Sequence, residues 1–347
     1  MAVSVTGAGF RWLTRLLLVV GLLLVVAAPI LRFWVTPLLA QSPQVPGSDG
    51  FVTHVSTGTI TTLFDLESAE TSSGAEPIPV TRTQSTRGDA VAAQEAAAAG
   101  FNVAVTTTTD RTVTEDGRLI SETDYRLAAD RRSQALVDCC DTQVGGVPVS
   151  AAGAGSPLRL PWFASEQDYP FYDVTLLSPV EMSPIGHEDI GGISALKLQQ
   201  AGVPVAIGTV QVPGRLTGSE APTVPLIRTH VVNRTLWVDP VTGIILRNVE
   251  RVRESLRDPT GKDVVTLLVM TTASTPEQVD ALVAQARAEG AGVRWTHTYG
   301  PALALAVGLA LLVVGLVGLT LRVRAERVDQ DFPDELATFE DLKEAFD

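Results

Sequence analysis

Two stretches of this chain are apolar on every helical face. Residues 13–34 carry LLLVVGLLLVVAAPIL, and residues 301–321 read PALALAVGLALLVVGLVGLTL, with no charge and Thr320 as the one hydroxyl. A helix of that length rises about 30 Å, the thickness of a bilayer's hydrocarbon core. A water-exposed helix that long keeps a polar face, and neither stretch has one. Both are predicted to span a membrane.

The pattern between them is that of strands. Residues 51–66 are rich in Val, Thr and Ile, which strands prefer. Residues 101–109 and 118–125 flank Glu115-Asp116-Gly117, a hairpin turn. A second hairpin joins 229–238 to 244–253 through Asp239-Pro240-Val241-Thr242-Gly243, and 264–271 adds another strand. Residues 144–157 are Gly-, Ala- and Pro-rich and read as a flexible loop or joint. One helix opens at Thr275-Pro276-Glu277-Gln278, with an N-cap hydroxyl, an early proline and a capping-box glutamine. Val279, Leu282, Val283 and Ala286 then share a face, and Gly290 is the expected stop. The fold class is therefore an α+β membrane protein, two transmembrane helices bracketing a large, mainly antiparallel β domain with a few helices. The expected boundaries are an N-terminus over 1–12, a signal anchor over 13–34, a β-rich domain over 35–300, a second span over 301–321 and an acidic tail over 322–347.

Charge orients this plan. Arg11 precedes the first span and Arg15 lies in its opening turn, and Arg322, Arg324 and Arg327 follow the second. The positive-inside rule puts both ends on the cytoplasmic side and the β-rich domain outside. Arg15, Arg32, Trp34, Trp295, Tyr299, Arg322 and Arg324 fall where interfacial anchors belong. The Leu38-Leu39-Ala40 sequence suits a cleavage site poorly, so the first span is expected to be retained. The net charge of −13 and the lack of a basic cluster argue against a nucleic-acid partner. In the tail, Phe332, Leu336, Phe339, Leu342 and Phe346 recur at helical spacing and suit docking to a cytoplasmic protein.

No catalytic pattern stands out. The chain lacks GxSxG, HExxH, GxxxxGK[ST] and a strand-linked GxGxxG, so neither enzyme activity nor a cofactor or metal is expected. His187-Glu188-Asp189 reads as a solvated turn after Pro184 and Gly186, and Asn233-Arg234-Thr235 is a chance match to a glycosylation sequon within a strand. The only cysteines are the neighbours Cys139 and Cys140. Partly buried thiols are the simplest expectation; a vicinal disulfide or an intermolecular bridge are the alternatives. Trp162, Phe163, Tyr169, Phe171 and Tyr172 form an aromatic segment that fits either a packed core or a ligand-lining surface.

Several patches together resemble the actinobacterial PorA-type envelope proteins, long catalogued as a domain of unknown function. They are the N-terminal anchor, Asp130-Arg131-Arg132, Leu160-Pro161-Trp162-Phe163, Tyr169-Pro170-Phe171-Tyr172-Asp173, Gly191-Gly192 and Thr235-Leu236-Trp237-Val238-Asp239-Pro240-Val241-Thr242-Gly243, with the C-terminal span. The resemblance implies an envelope protein, and the family's name implies a channel. Two strongly apolar helices instead point to a two-pass protein of the bacterial inner membrane, because outer-membrane barrel strands are only moderately apolar. The two-span plan is also similar to that of class B scavenger receptors, whose ectodomain holds a lipid passage. The expected function is thus a β-rich ectodomain that binds or passes an amphiphilic or lipid ligand. The alternatives are an oligomeric porin-like channel, with Gly21, Ala28, Ala304, Gly308 and Gly315 letting helices approach closely, and a scaffold acting through its tail. The expected partners are membrane lipid, an envelope lipid ligand, a cytoplasmic protein and further copies of the chain.

Overall fold

The computed structural model describes residues 7–45, 50–65, 70–71 and 76–331. The helices are α1 (Gly7–Ile30), α2 (Thr36–Leu39), α3 (Ala90–Ala98), α4 (Pro276–Arg294) and α5 (Gly300–Asp331). The strands are β1 (Phe51–Asp65), β2 (Glu70–Thr71), β3 (Ile78–Gly88), β4 (Val103–Thr114), β5 (Leu119–Asp130), β6 (Gln143–Val144) and β7 (Val147–Pro148). They continue with β8 (Tyr169–Asp173), β9 (Ser178–Ile190), β10 (Ile193–Gln200), β11 (Val205–Pro213), β12 (Thr223–Val238), β13 (Ile245–Arg257) and β14 (Asp263–Ser274). The chain divides into a helical unit, up to Leu39 and from Gly292 onward, and a β unit, Ala40–Ala291.

In the helical unit α1 packs along α5. Small residues set how closely they approach: a Cβ built on Gly21 would lie 2.8 Å from the Gly308 carbonyl oxygen, and one on Gly315 would lie 2.8 Å from Leu18 Cγ. Ala28 is buried as well. Of the small residues noted in the sequence, Gly21 and Gly308 therefore meet within one chain. Each apolar helix also contains one π-helical turn, Leu31–Val35 or Trp295–Tyr299. Each turn is followed within two residues by a proline, Pro37 or Pro301, which has no N–H to give the carbonyl four residues back, Phe33 or His297, inside the turn. Thr36 steadies the first turn by donating both its N–H and its hydroxyl to the Leu31 carbonyl.

In the β unit the strands form one curled antiparallel sheet, ordered β7-β6-β5-β4-β3-β1-β14-β13-β12-β10-β9-β8, with β11 on β12 and β2 on β1. Its ends are joined. Leu136 bridges to Ala129 on β5, Ala135 to Gly155, and Gly155 to Phe171 on β8. Gly155 donates to the Pro170 carbonyl (2.7 Å) and accepts from the Tyr172 N–H (2.9 Å). Any side chain at Gly155 would overlap the Pro170 carbonyl. The stretch over 144–157, expected to be a loose joint, is thus ordered seam, with Ala151 and Ala154 buried. Its small residues serve close backbone approach.

Side chains fill the inside of the ring in layers. Phe171, Met182, Leu198 and Leu236 form one apolar layer, and Ile60, Val80, Val232, Val252 and Met270 another. Phe64, Val212, Leu226, Leu256 and Leu267 form a third. On the opposite sheet face α4 lays Leu282, Val283 and Ala286 on Ile193, Trp237 and Leu246, and α3 covers Val103, Val105 and Ala128. The start of α4 only half matches the capping box. Thr275 Oγ1 accepts from the Gln278 N–H (3.2 Å), but the Gln278 side chain reaches β1, binding the Val55 N–H (3.1 Å) and His54 Nδ1 (3.0 Å). Burial pushes the His54 pKa down. Gly290 does not stop α4, which runs on to Arg294. Glycine inside a helix costs only about 1 kcal/mol.

Enlarging the α1–α5 contact tests its packing. Gly308→Leu is expected to destabilise the helical unit by about 1–3 kcal/mol through overpacking. Cross-linking between cysteines placed at Leu18 and Gly315 in the full chain should fall accordingly.

Candidate ligand-binding site

Strand alternation places an ion-paired layer inside the β unit. Glu250 on β13 faces Arg234 on β12, whose Nε donates to Glu250 Oε2 (3.0 Å). Arg234 also donates to Gln200 on β10 (3.0 Å) and Asp173 on β8 (3.1 Å), and its guanidinium lies 4.7 Å from the Phe171 ring centre. From β3, Arg82 binds Asp110 on β4 through two nitrogens and reaches Glu250 at 3.2 Å. In a flat sheet β3 and β13 would be about 14 Å apart, so this pair reports the curl. Gly58 helps, because it stands between Val80 and Thr272 with no side chain to block the crossing.

The layer is electrostatically closed. Burial by itself would raise the Glu250 pKa, but the guanidiniums of Arg234 and Arg82 hold it far below the usual carboxylate range. Burial likewise works against charge on Arg82 and Arg234, and their carboxylate partners outweigh it and raise both. Desolvation, with the Asp110 charge nearby, pushes Tyr125 up, and its hydroxyl accepts from Gln84 (2.9 Å).

Among the described residues of the β unit lies a surface groove of about 400 Å3. It opens where the edge beside β12 changes hands. β10 pairs with Arg234–Val238, β11 pairs with Thr223–His230, and Ala201, Gly202, Val203 and Pro204 interrupt them. β9 pairs with β8 over Ser178–Met182 and joins β10 only from Ser183 onward. Leu176, Val180, Ile185, Ala201, Val203 and Val205 supply apolar walls, while Glu181, Ser183, Gln199 and Gln200 supply polar groups. Val203 is 69% exposed and Ile185 50%, so the mouth presents apolar surface to solvent. Val180 packs on the cluster holding Tyr169 and Phe171, and Gln200 binds Arg234. The groove floor therefore rests on the ion-paired layer.

The aromatic segment divides unevenly. Trp162, Tyr169, Phe171 and Tyr172 are buried; Phe163 is 37% exposed. Trp162 stacks against the Arg159 guanidinium (4.7 Å), and Tyr169 Oη accepts from the Ser165 N–H (2.7 Å). None of the five lines the groove. The His187-Glu188-Asp189 triplet lies within β9, not in a turn. Glu188 accepts from Trp237 Nε1 (2.8 Å) and Lys197 (3.0 Å), and His187 lies 3.4 Å from Glu166. Gly186 and Pro184 are absorbed by a bulge, which sequence periodicity does not reveal. Cys139 and Cys140 are joined as a disulfide, in place of the expected thiols. Asn233 accepts from the Gly202 N–H (3.1 Å) and helps hold the break beside the groove. In the helical unit Arg15, Arg32, Trp34, Trp295, Tyr299 and Arg324 are exposed and Arg322 is half-buried. The tail residues Phe332, Leu336, Phe339, Leu342 and Phe346 lie outside the described residues. Among the described residues no cluster of three or more His, Cys, Asp or Glu is placed to hold a metal ion.

Glu250 gives this site a pH signature. Its folded pKa lies below the ordinary 4.5, so it stabilises the fold above about pH 4.5, and that contribution is lost as the pH falls toward its folded pKa. Glu250→Gln leaves two buried guanidiniums short of a partner and is expected to cost about 3–5 kcal/mol at pH 7. The deficit should shrink below about pH 4 in denaturant unfolding of the full chain in detergent.

The patches that carry the family resemblance are joints of the β unit. Leu160 donates its N–H to the Gly243 carbonyl (2.9 Å), and Arg159 Nε donates to the Thr242 carbonyl (2.7 Å), so the 160–163 patch docks on the 239–243 turn. Thr242 Oγ1 closes that turn on Asp239 (2.7 Å), and Gly243 holds a φ of +75°. Arg131 ties the chain near Ser42 to the end of β5: the Ser42 N–H donates to the Arg131 carbonyl (2.8 Å). No curated protein matches the chain. A family model described as Porin PorA matches residues 13–317. With two helices long and apolar enough to cross a bilayer and a match spanning both of them and the β unit between, the chain is a membrane protein that belongs to the PorA family.

Proposed function

We propose that this is an envelope protein of the inner membrane whose β unit binds an amphiphilic, lipid-like ligand in the groove between β9 and β11. In this reading α1 and α5 are the two spans, both termini are cytoplasmic and the β unit lies outside. The protein acts by binding or passing its ligand, without catalysis. The groove carries the proposal: apolar walls and an exposed apolar mouth suit an acyl chain, and Glu181, Ser183, Gln199 and Gln200 suit a polar head. The strands support a water-facing β unit. Outward residues such as Thr107, Arg111, Glu122, Arg251 and Arg253 are exposed and polar, whereas a lipid-facing barrel wall carries an apolar band.

The second reading is an oligomeric channel, favoured by the family's description as a porin. Against a pore through the β unit stands its interior, filled by packed apolar layers and paired charges. Planar-bilayer recording on the full chain discriminates the two: steps of conductance support the channel, and silence at generous protein amounts removes it.

Filling the groove tests the first reading. Ala201→Trp is expected to displace two or three buried CH2 groups of a bound chain, which costs about 2 kcal/mol, or about thirtyfold in affinity. Titration of the detergent-solubilised full chain with a fluorescent single-chain amphiphile reads this. Equal binding by the variant and the parent overturns the groove as the site.

A further inference from the structure

The Cys139–Cys140 disulfide lies at the seam that closes the sheet. Two residues before it, Val137 donates its N–H to the Ala128 carbonyl on β5 (2.9 Å), and Leu136 donates to the Ala154 carbonyl (2.7 Å). Immediately before it, Asp138 gathers the far side of the seam, accepting from the N–H groups of Ala151 (2.8 Å) and Ala152 (3.0 Å) and from the Ser150 hydroxyl. Behind it, Cys140 and Asp141 both hold left-handed backbone, with φ of 62° and 60°. Non-glycine residues rarely adopt that region unless their surroundings impose it.

This turn points carbonyls at specific donors. Cys140 O accepts from Arg126 Nε (2.8 Å), and Cys139 O accepts from Thr142 Oγ1 (2.7 Å). Arg126 Nη2 donates onward to Asp89 Oδ2 (2.8 Å), and Asp89 Oδ1 caps α3 at the Ala92 N–H (3.0 Å). Both cysteines pack against the cluster of Ala93, Ala96, Val103 and Val105, yet neither is fully buried. One covalent link thus bears on the ring closure and on the α3 cap, at two half-buried cysteines.

We propose that the Cys139–Cys140 pair is a redox latch on the seam, opened by a dithiol reductant. A thiolate of the dithiol attacks one cysteine sulfur, breaking the Cys139–Cys140 bond and forming a mixed disulfide. The second thiolate resolves it. The dithiol leaves as a disulfide, and the protein gains two electrons and two protons as two thiols. Without the ring, 140–141 can leave the left-handed region, Arg126 loses the Cys140 carbonyl, and the strands around Gly155 are held less firmly. The fold itself stays closed elsewhere, because β13 pairs with β12 over Ile245–Arg257 and with β14 over Val249–Arg257.

The test uses the full-length protein in detergent, oxidised, reduced with dithiothreitol and re-oxidised. Mass spectrometry after alkylation should show no labelled thiol before reduction and two after it. Amide hydrogen exchange over 134–142, 150–156 and the first turn of α3 should rise about five- to tenfold on reduction, reverse on re-oxidation, and stay unchanged in the β12–β13 hairpin. Cys139→Ser with Cys140→Ser should show the fast pattern and ignore dithiothreitol. The proposal is overturned if the untreated protein labels fully at both cysteines, if exchange at the seam is the same in both redox states, or if the whole β unit loosens together. The wild-type redox cycle decides the matter even where the double variant fails to fold.

Discussion

Glu250 sits between two guanidiniums that belong to opposite sides of a curled sheet, Arg234 on the adjacent strand and Arg82 three strands away. Much of the β unit follows from that contact. A carboxylate removed from water needs compensating partners nearby, and both arginines reach it only if the sheet bends. Bending brings β5 and β8 close enough for residues 135–136 and 155 to bridge them. The curl then traps the apolar layers on either side of the charges. The interior is consequently a packed, charge-compensated core.

The same curl produces the groove. A strand that continued straight along β12 would give one unbroken edge. The Gly202-Val203-Pro204 interruption lets β9 peel off toward β8 while β11 carries on alone. Proline lacks the donor a continuous ladder needs, and Gly202 fits where a Cβ would press on Val231. Apolar side chains that would face a neighbouring strand face solvent instead. Closure, core and groove are therefore consequences of one shape, and the family patches at 130–132, 160–163, 191–192 and 239–243 hold its corners.

Local rules made much of the architecture legible from sequence. Uninterrupted apolarity announces a span because no side chain offers water a partner, and both apolar helices appear where that rule puts them. The 239–243 turn carries its own geometry in Asp239, Pro240 and Gly243, so the β12–β13 hairpin was readable from a few residues. Other features depend on partners distant in the chain. Arg82 and Glu250 look like ordinary surface charges in strands of mixed polarity. Residues 144–157 look like slack because small residues serve equally for flexibility and for close packing. Gln278 matched a local capping rule, yet a better acceptor-and-donor pair on β1 claimed its side chain.

By itself, the sequence determined the two apolar helices, the antiparallel β character of the stretch between them and the hairpin turns, since each is decided within a few neighbouring residues by hydrophobicity, φ preference or the lack of an N–H. Only the tertiary structure decided that the sheet closes, that Arg82, Arg234 and Glu250 share one buried layer, that a groove opens beside Val203 and that Cys139 and Cys140 stand at the seam. Those features depend on which distant strands meet and how far the sheet curls. Alternation along one strand tells which side chains share a face, and carries no information about what that face will touch.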